Sequence, residues 1–202
     1  FCLSRGLGDV YKRQTEKYPG MKDFKKFGPF AYTAKLRNGL FRNTGACLSP
    51  QNAFYNSIGM ETLGLRMERV CDNAKKLAQF FATEYSDIEV NYPGLAGSKW
   101  HNIATEQFGD KFGGIITIRT GNKKRAFGII DALKLPLIVS NIGDTKTLVI
   151  HPESTLNVHS TQEEKETAGV FDDLIRISVG IEDIDDLIDD FKQAIESVKD
   201  VY

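Results

Sequence analysis

Apolar positions along this chain recur first with a helical period and later in short alternating runs, and the change divides it. Phe30, Ala34, Leu36, Leu40 and Phe41 form a helical stripe that ends near Gly45, with Pro29 where a first turn tolerates proline. Ser49-Pro50 opens a second helix, the serine as N-cap and the proline in the first turn. Its stripe runs through Phe54, Ile58, Leu63, Leu65, Met67, Val70, Ala74, Leu77, Phe80 and Phe81, and Gly59 or Gly64 predicts a break or kink. A pattern of that length bridges two parts of a protein, so the domain boundary is expected along it.

Beyond about Tyr85 short strands alternate with helices. Strands are predicted at Ile88–Tyr92, Gly114–Thr120, Leu135–Ser140, Thr147–Ile150 and Asp173–Val179. Helices are predicted at Ser98–Phe108, at Lys123–Leu133 and after Thr161, where Glu164 completes a capping box. The last helix is capped by Asp183 and buries Ile184, Leu187, Ile188, Phe191, Ala194, Ile195 and Val198. These elements make an α+β fold, a small sheet with helices on one side, preceded by a long connecting helix.

Residues 1–14 fit neither period. They lack an initiator methionine and read as a non-native adapter or cloning scar, and Gly6-Leu7-Gly8 lacks the flanking strand and helix of a phosphate loop.

Composition narrows the function classes. A net charge of -1 gives no basic field for nucleic acid, and no apolar run is long enough for a membrane helix. Cys2, Cys47 and Cys71 form no C-x-x-C pair, which fits a reducing cytoplasm. His101, His151 and His159 lie on separate segments without ligand spacing, so no metal is expected. No G-x-S-x-G elbow marks a hydrolase. The carboxylates Glu182, Asp183, Asp185, Asp186, Asp189 and Asp190 read as the complement of a helix N-terminus and its solvated face. Lys134 and Lys146 read as surface charges.

Arg176 alternates with Ile175 and Ile177 and therefore points to the opposite sheet face. Pattern alone leaves two readings open: a solvated strand residue, or a fork that grips a carboxylate.

Four stretches, read in order, carry a resemblance. They are Gly45-Ala46-Cys47-Leu48-Ser49-Pro50-Gln51-Asn52-Ala53-Phe54 continuing into Glu61–Arg69, then Asn91-Tyr92-Pro93-Gly94-Leu95, then Asn141–Thr155, then Arg176-Ile177-Ser178-Val179-Gly180-Ile181-Glu182-Asp183. Together they resemble the Cys/Met-metabolism pyridoxal-phosphate enzymes, most closely the O-acetylhomoserine sulfhydrylases. The resemblance implies the C-terminal domain of a fold type I transferase. Residues 15–60 are then the end of the large cofactor domain and the start of the connecting helix, and residues 61–202 the C-terminal domain. It implies that Arg176 grips the substrate α-carboxylate, and that Asn141 supports that carboxylate or its arginine.

The implied chemistry is γ-replacement on O-acetylhomoserine by sulfide or a thiol, with pyridoxal 5'-phosphate as the electron sink. The implied whole protein is a homotetramer. Ser98-Lys99-Trp100 imitates the family's cofactor-lysine motif, but directly after Asn91–Leu95 the family has an ordinary surface helix. Lys99 is therefore a decoy, the Schiff-base lysine is expected upstream, and the chain alone is expected to be inactive. Glu153 and the run Leu156-Asn157-Val158-His159 depart from the family pattern. Two competing readings remain. One is a cystathionine γ-synthase or γ-lyase fragment, and the other is a non-catalytic amino-acid-binding or oligomerisation module.

Overall fold

The computed structural model describes residues 26–198. The expected adapter at 1–14 lies outside them. The chain forms two compact units that divide between Ser57 and Ile58.

In the first unit a 3₁₀ stretch at 26–30 contains Pro29 and precedes helix α1 (Ala31–Leu36). The helical path then widens into a π-helical stretch, Arg37–Phe41, and closes with α2 (Arg42–Thr44). Gly45 ends it in the left-handed region, φ 61°, a conformation open to glycine at little cost. The predicted helix is thus present, interrupted by a wide turn where Asn38 Nδ2 donates to the Ala34 carbonyl. Helix α3 (Pro50–Glu61) starts as predicted, with Ser49 Oγ accepting from Asn52 N at 3.2 Å.

Thr62 interrupts the helical run, with φ -104° and ψ 3°, and α4 (Leu63–Glu84) follows. The break thus falls between the two glycines that predicted it. Arg66 spans it, donating to Thr62 Oγ1 at 3.2 Å and to the Gly59 carbonyl at 2.5 Å.

The second unit is built on a five-stranded sheet in the order β1-β2-β5-β4-β3. Its strands are β1 (Glu89–Asn91), β2 (Ile115–Arg119), β3 (Leu137–Ile138), β4 (Leu148–Ile150) and β5 (Leu174–Ser178). All neighbours pair antiparallel except β3 with β4. The helices are α5 (His101–Phe108), α6 (Lys123–Ala132), α7 (Gln162–Thr167) and α8 (Ile184–Ser197). β3 is shorter than predicted: Pro136 has no N–H to pair, and Leu137 N finds the Thr147 carbonyl at 2.9 Å.

One sheet face is covered by α4, α6 and α8. Ile116, Ile118, Val149, Ile175 and Ile177 are fully buried there against Leu77, Phe81, Ile129, Leu187, Phe191 and Ile195. Phe81 and Phe191 meet edge to face at 5.2 Å. Full burial of each such side chain is worth roughly 1.5–3 kcal/mol, so this layer holds the unit together. The core stripes of α4 and α8 sit three and four residues apart, which is why the helical periods were readable. On β2 and β5 the alternate residues Thr117, Arg119 and Arg176 point to the other face.

Candidate functional site

Arg176 occupies the middle of β5, opposite Thr117 on β2 and Ile150 on β4. Its neighbours Ile175 and Ile177 are at 0% exposure on the helix side, so the alternation places the guanidinium on the open face, as expected. Nη2 donates to the Asn141 backbone carbonyl at 3.1 Å. Nε is buried and meets no acceptor among the described residues. Burial pushes the guanidinium pKa down, yet an arginine of this kind stays charged. A planar guanidinium fork of this kind can pair with a carboxylate through two hydrogen bonds.

Asn141 supports the arginine through its backbone, while its side chain is exposed. The loop it belongs to is tied down at several points. Gly143 N donates to Ser178 Oγ at 3.2 Å, and Ile181 N donates to the Thr145 carbonyl at 2.9 Å. Asp144 Oδ1 accepts from Lys146 N at 3.0 Å and from Thr145 Oγ1 at 3.3 Å, and the Lys146 N–H chiefly holds the Asp144 carboxyl below its ordinary pKa.

At the base of this loop Thr147, fully buried, donates to Glu182 from N at 2.5 Å and from Oγ1 at 2.9 Å. Its hydroxyl oxygen accepts from Gly180 N at 2.9 Å. Asn73 of α4, 1% exposed, donates to the carbonyls of Gly180 and Glu182 at 3.1 and 2.9 Å. The loop that holds Arg176 is therefore fixed by a closed hydrogen-bond network rooted in α4.

Two carboxylates depart from the solvated acidic face expected for 182–190. Glu182 is half-buried and engaged with Thr147. Asp190, 6% exposed, accepts from Lys134 N, Leu135 N and Gln193 Nε2. A buried carboxylate persists when backbone N–H groups and side-chain donors replace its water. Asp183 acts as predicted, capping α8 through Asp185 N at 2.9 Å.

Two of the three histidines have hydrogen-bond partners on the backbone or a hydroxyl. His101 pairs with the Pro93 carbonyl at 2.9 Å, and His151 lies between Ser154 Oγ and the Asp172 carbonyl at 2.9 and 2.7 Å. Among the described residues no metal-ligand cluster occurs, and no helix is long and apolar enough to cross a membrane.

A lysine that forms an imine must be held desolvated, so that its neutral amine is accessible. None of the described lysines is buried. Lys123 and Lys165 both grip Glu153, Lys111 is drawn to Asp72, and Lys99 lies exposed over the Trp100 ring at 5.0 Å.

Residues 12–196 match the model of the Cys/Met metabolism PLP-dependent enzymes. A sulfhydrylase of Fusarium oxysporum f. sp. lycopersici is 38% identical over 180 residues, covering 89% of this chain and 42% of that protein. A homocysteine synthase of Schizosaccharomyces pombe is 39% identical with the same coverage, 89% and 42%. The crystal structure of a protein assigned as an O-acetylhomoserine (thiol)-lyase from Campylobacter jejuni, which carries a pyridoxyl-lysine phosphate, superposes with a TM-score of 0.76 at 40% identity. That superposition covers 82% of this chain and 39% of the other. The chain therefore spans 42% of the length of these curated relatives, and its five-stranded sheet with helices fits the fold type I pyridoxal-phosphate transferase architecture. The chain belongs to the Cys/Met metabolism family of PLP-dependent enzymes.

Proposed function

We propose that this chain is the substrate-carboxylate side of a PLP-dependent γ-replacement enzyme that converts O-acetylhomoserine and sulfide or a thiol to homocysteine or methionine. The observation that carries the reading is Arg176, a half-buried guanidinium held by the Asn141 carbonyl with an unmet Nε donor on the open sheet face. The relatives that share this stretch of chain are named for sulfhydrylation and homocysteine synthesis. In this reading Arg176 binds and orients the α-carboxylate, and Asn141 orients Arg176. The cofactor, held by other parts of the whole protein, supplies the electron sink. Residues 15–60 belong to the large domain and the start of the connecting helix, and residues 61–202 form the C-terminal domain. The whole protein is a cytoplasmic homotetramer, and the 202-residue chain by itself does not turn over.

The test uses the longer protein obtained by extending the coding sequence upstream. Loaded with pyridoxal phosphate, it is expected to release acetate from O-acetylhomoserine when sulfide is supplied. Arg176→Ala is expected to raise the KM for O-acetylhomoserine by roughly ten- to a hundredfold, the worth of a charge-assisted hydrogen-bonded pair. An extended protein without acetate release would overturn the reaction. Unchanged KM in an active Arg176→Ala enzyme would overturn the assignment of the arginine.

A further inference from the structure

The open face of the sheet also carries a cleft of about 830 Å³ that the proposed function leaves unused. Small-molecule sites fall at roughly 300–1,000 Å³. The outer strands supply Asn91, Thr117 and Arg119, the turn before α5 supplies Trp100, and the loop before β5 supplies Phe171. Thr117 is the cross-strand neighbour of Arg176, which does not itself line the cleft.

Arg119 is held ready for a ligand. Its Nε donates to Asp173 Oδ1 at 3.0 Å, and Asp173, 4% exposed, accepts from Gly121 N at 3.0 Å through its other oxygen. The guanidinium carbon lies 4.0 Å from the Phe171 ring centroid. Among the described residues its terminal nitrogens meet only Glu89, at 3.5 Å, and that side chain is largely exposed. The guanidinium is thus stacked and pinned on its Nε edge, and its terminal edge keeps donors for an acceptor in the cleft. The order that binding would demand of a loose arginine is already built in.

The surrounding charges select the anion. Asp173 and Glu89 oppose Arg119 and Lys99, so the cleft is close to neutral. A dianion such as phosphate gains little there, whereas one carboxylate can use the fork. Trp100 and Phe171 each carry a cation over the ring, from Lys99 and Arg119, and keep exposed apolar surface against which a flat body can lie. We propose that this cleft binds a small monocarboxylate with a flat, apolar body, its carboxylate on Arg119 and its body against Trp100 and Phe171.

Trp100 is the single tryptophan of the chain, so its emission reports on the cleft. The 202-residue chain is titrated with benzoate, with its neutral isostere benzamide and with inorganic phosphate. A saturable change with benzoate is expected, and a weak or absent one with the other two. Arg119→Gln is expected to weaken benzoate binding by about tenfold or more.

Because that substitution strips Asp173 of a partner, Asn91→Asp serves beside it. Asn91 is an exposed edge-strand residue, and a carboxylate there is expected to weaken benzoate binding roughly threefold or more by repulsion. Arg176→Gln is expected to leave the titration unchanged, so failure at Arg176 and failure here are read separately. The proposal is overturned if benzoate gives no saturable change, or if benzamide matches it. It is equally overturned if Arg176→Gln abolishes the response while Asn91→Asp preserves it.

Discussion

Gly180 marks the point where the end of β5 and the 141–147 loop press together. A Cβ there would collide with the Thr145 carbonyl oxygen and lie 2.6 Å from the Lys146 carbonyl carbon. Gly180→Ala must therefore push the loop away or strain the strand, at a cost of roughly 1–3 kcal/mol. A lower Tm by circular dichroism is expected, and an unchanged Tm would show that the loop yields freely. Glu182→Ala leaves the buried Thr147 N–H without an acceptor, a loss of roughly 1–3 kcal/mol. Glu182→Gln, which keeps one acceptor oxygen, is expected to recover most of that in the same melt, and equal losses would contradict the hydrogen-bond account. At this scale the sequence was uneven as a guide. The face of Arg176 was legible because strand alternation assigns it, while alternation left its role open. Glu182 was not, because its partner Thr147 lies 35 positions away and no local pattern encodes that pairing. Asp190 left a signal, three residues after Leu187 and four before Ala194, which puts it on the edge of the buried stripe of α8.

Elements are joined here by charged clamps as well as by the core. Glu153 follows β4 and holds Lys123 at the start of α6 and Lys165 in α7, at 2.8 and 2.5 Å. Those two hydrogen bonds hold its carboxyl down to about 2, against an ordinary value of 4.5. Since the folded value is the lower one, the clamp contributes fully above about pH 4.5 and is lost as pH falls through about 2. The Tm difference between the native chain and Glu153→Gln is expected to shrink across that acid window. A constant difference would mean that the contact is not ionic. The capping box at Thr161, with Thr161 N donating to Glu164 at 2.8 Å, was fully readable from two residues. β3 was not, because its two residues are defined by the parallel partner β4 rather than by any alternation of their own.

Across the whole molecule the apolar surface is unevenly covered. Phe54, Tyr55, Ile58 and Met60, all on α3, are between 47% and 64% exposed. Exposed apolar side chains such as Phe54 and Ile58, one helical turn apart, favour association. The chain is expected to show a sedimentation mass that rises with concentration, and Phe54→Lys is expected to reduce that rise. A monomer unaffected by concentration would speak against it. The order β1-β2-β5-β4-β3 was beyond the reach of periodicity, which marks strands but not their neighbours. That order has a consequence in time. The strand that joins β2 to β4 is the last of the five to be synthesised, so Ile116, Ile118 and Val149 leave the ribosome long before the residues that close their sheet. Until 174–178 and α8 follow, the nascent chain carries uncovered strand edges, the state in which aggregation competes with folding. The sheet therefore cannot close until its last strand has been made.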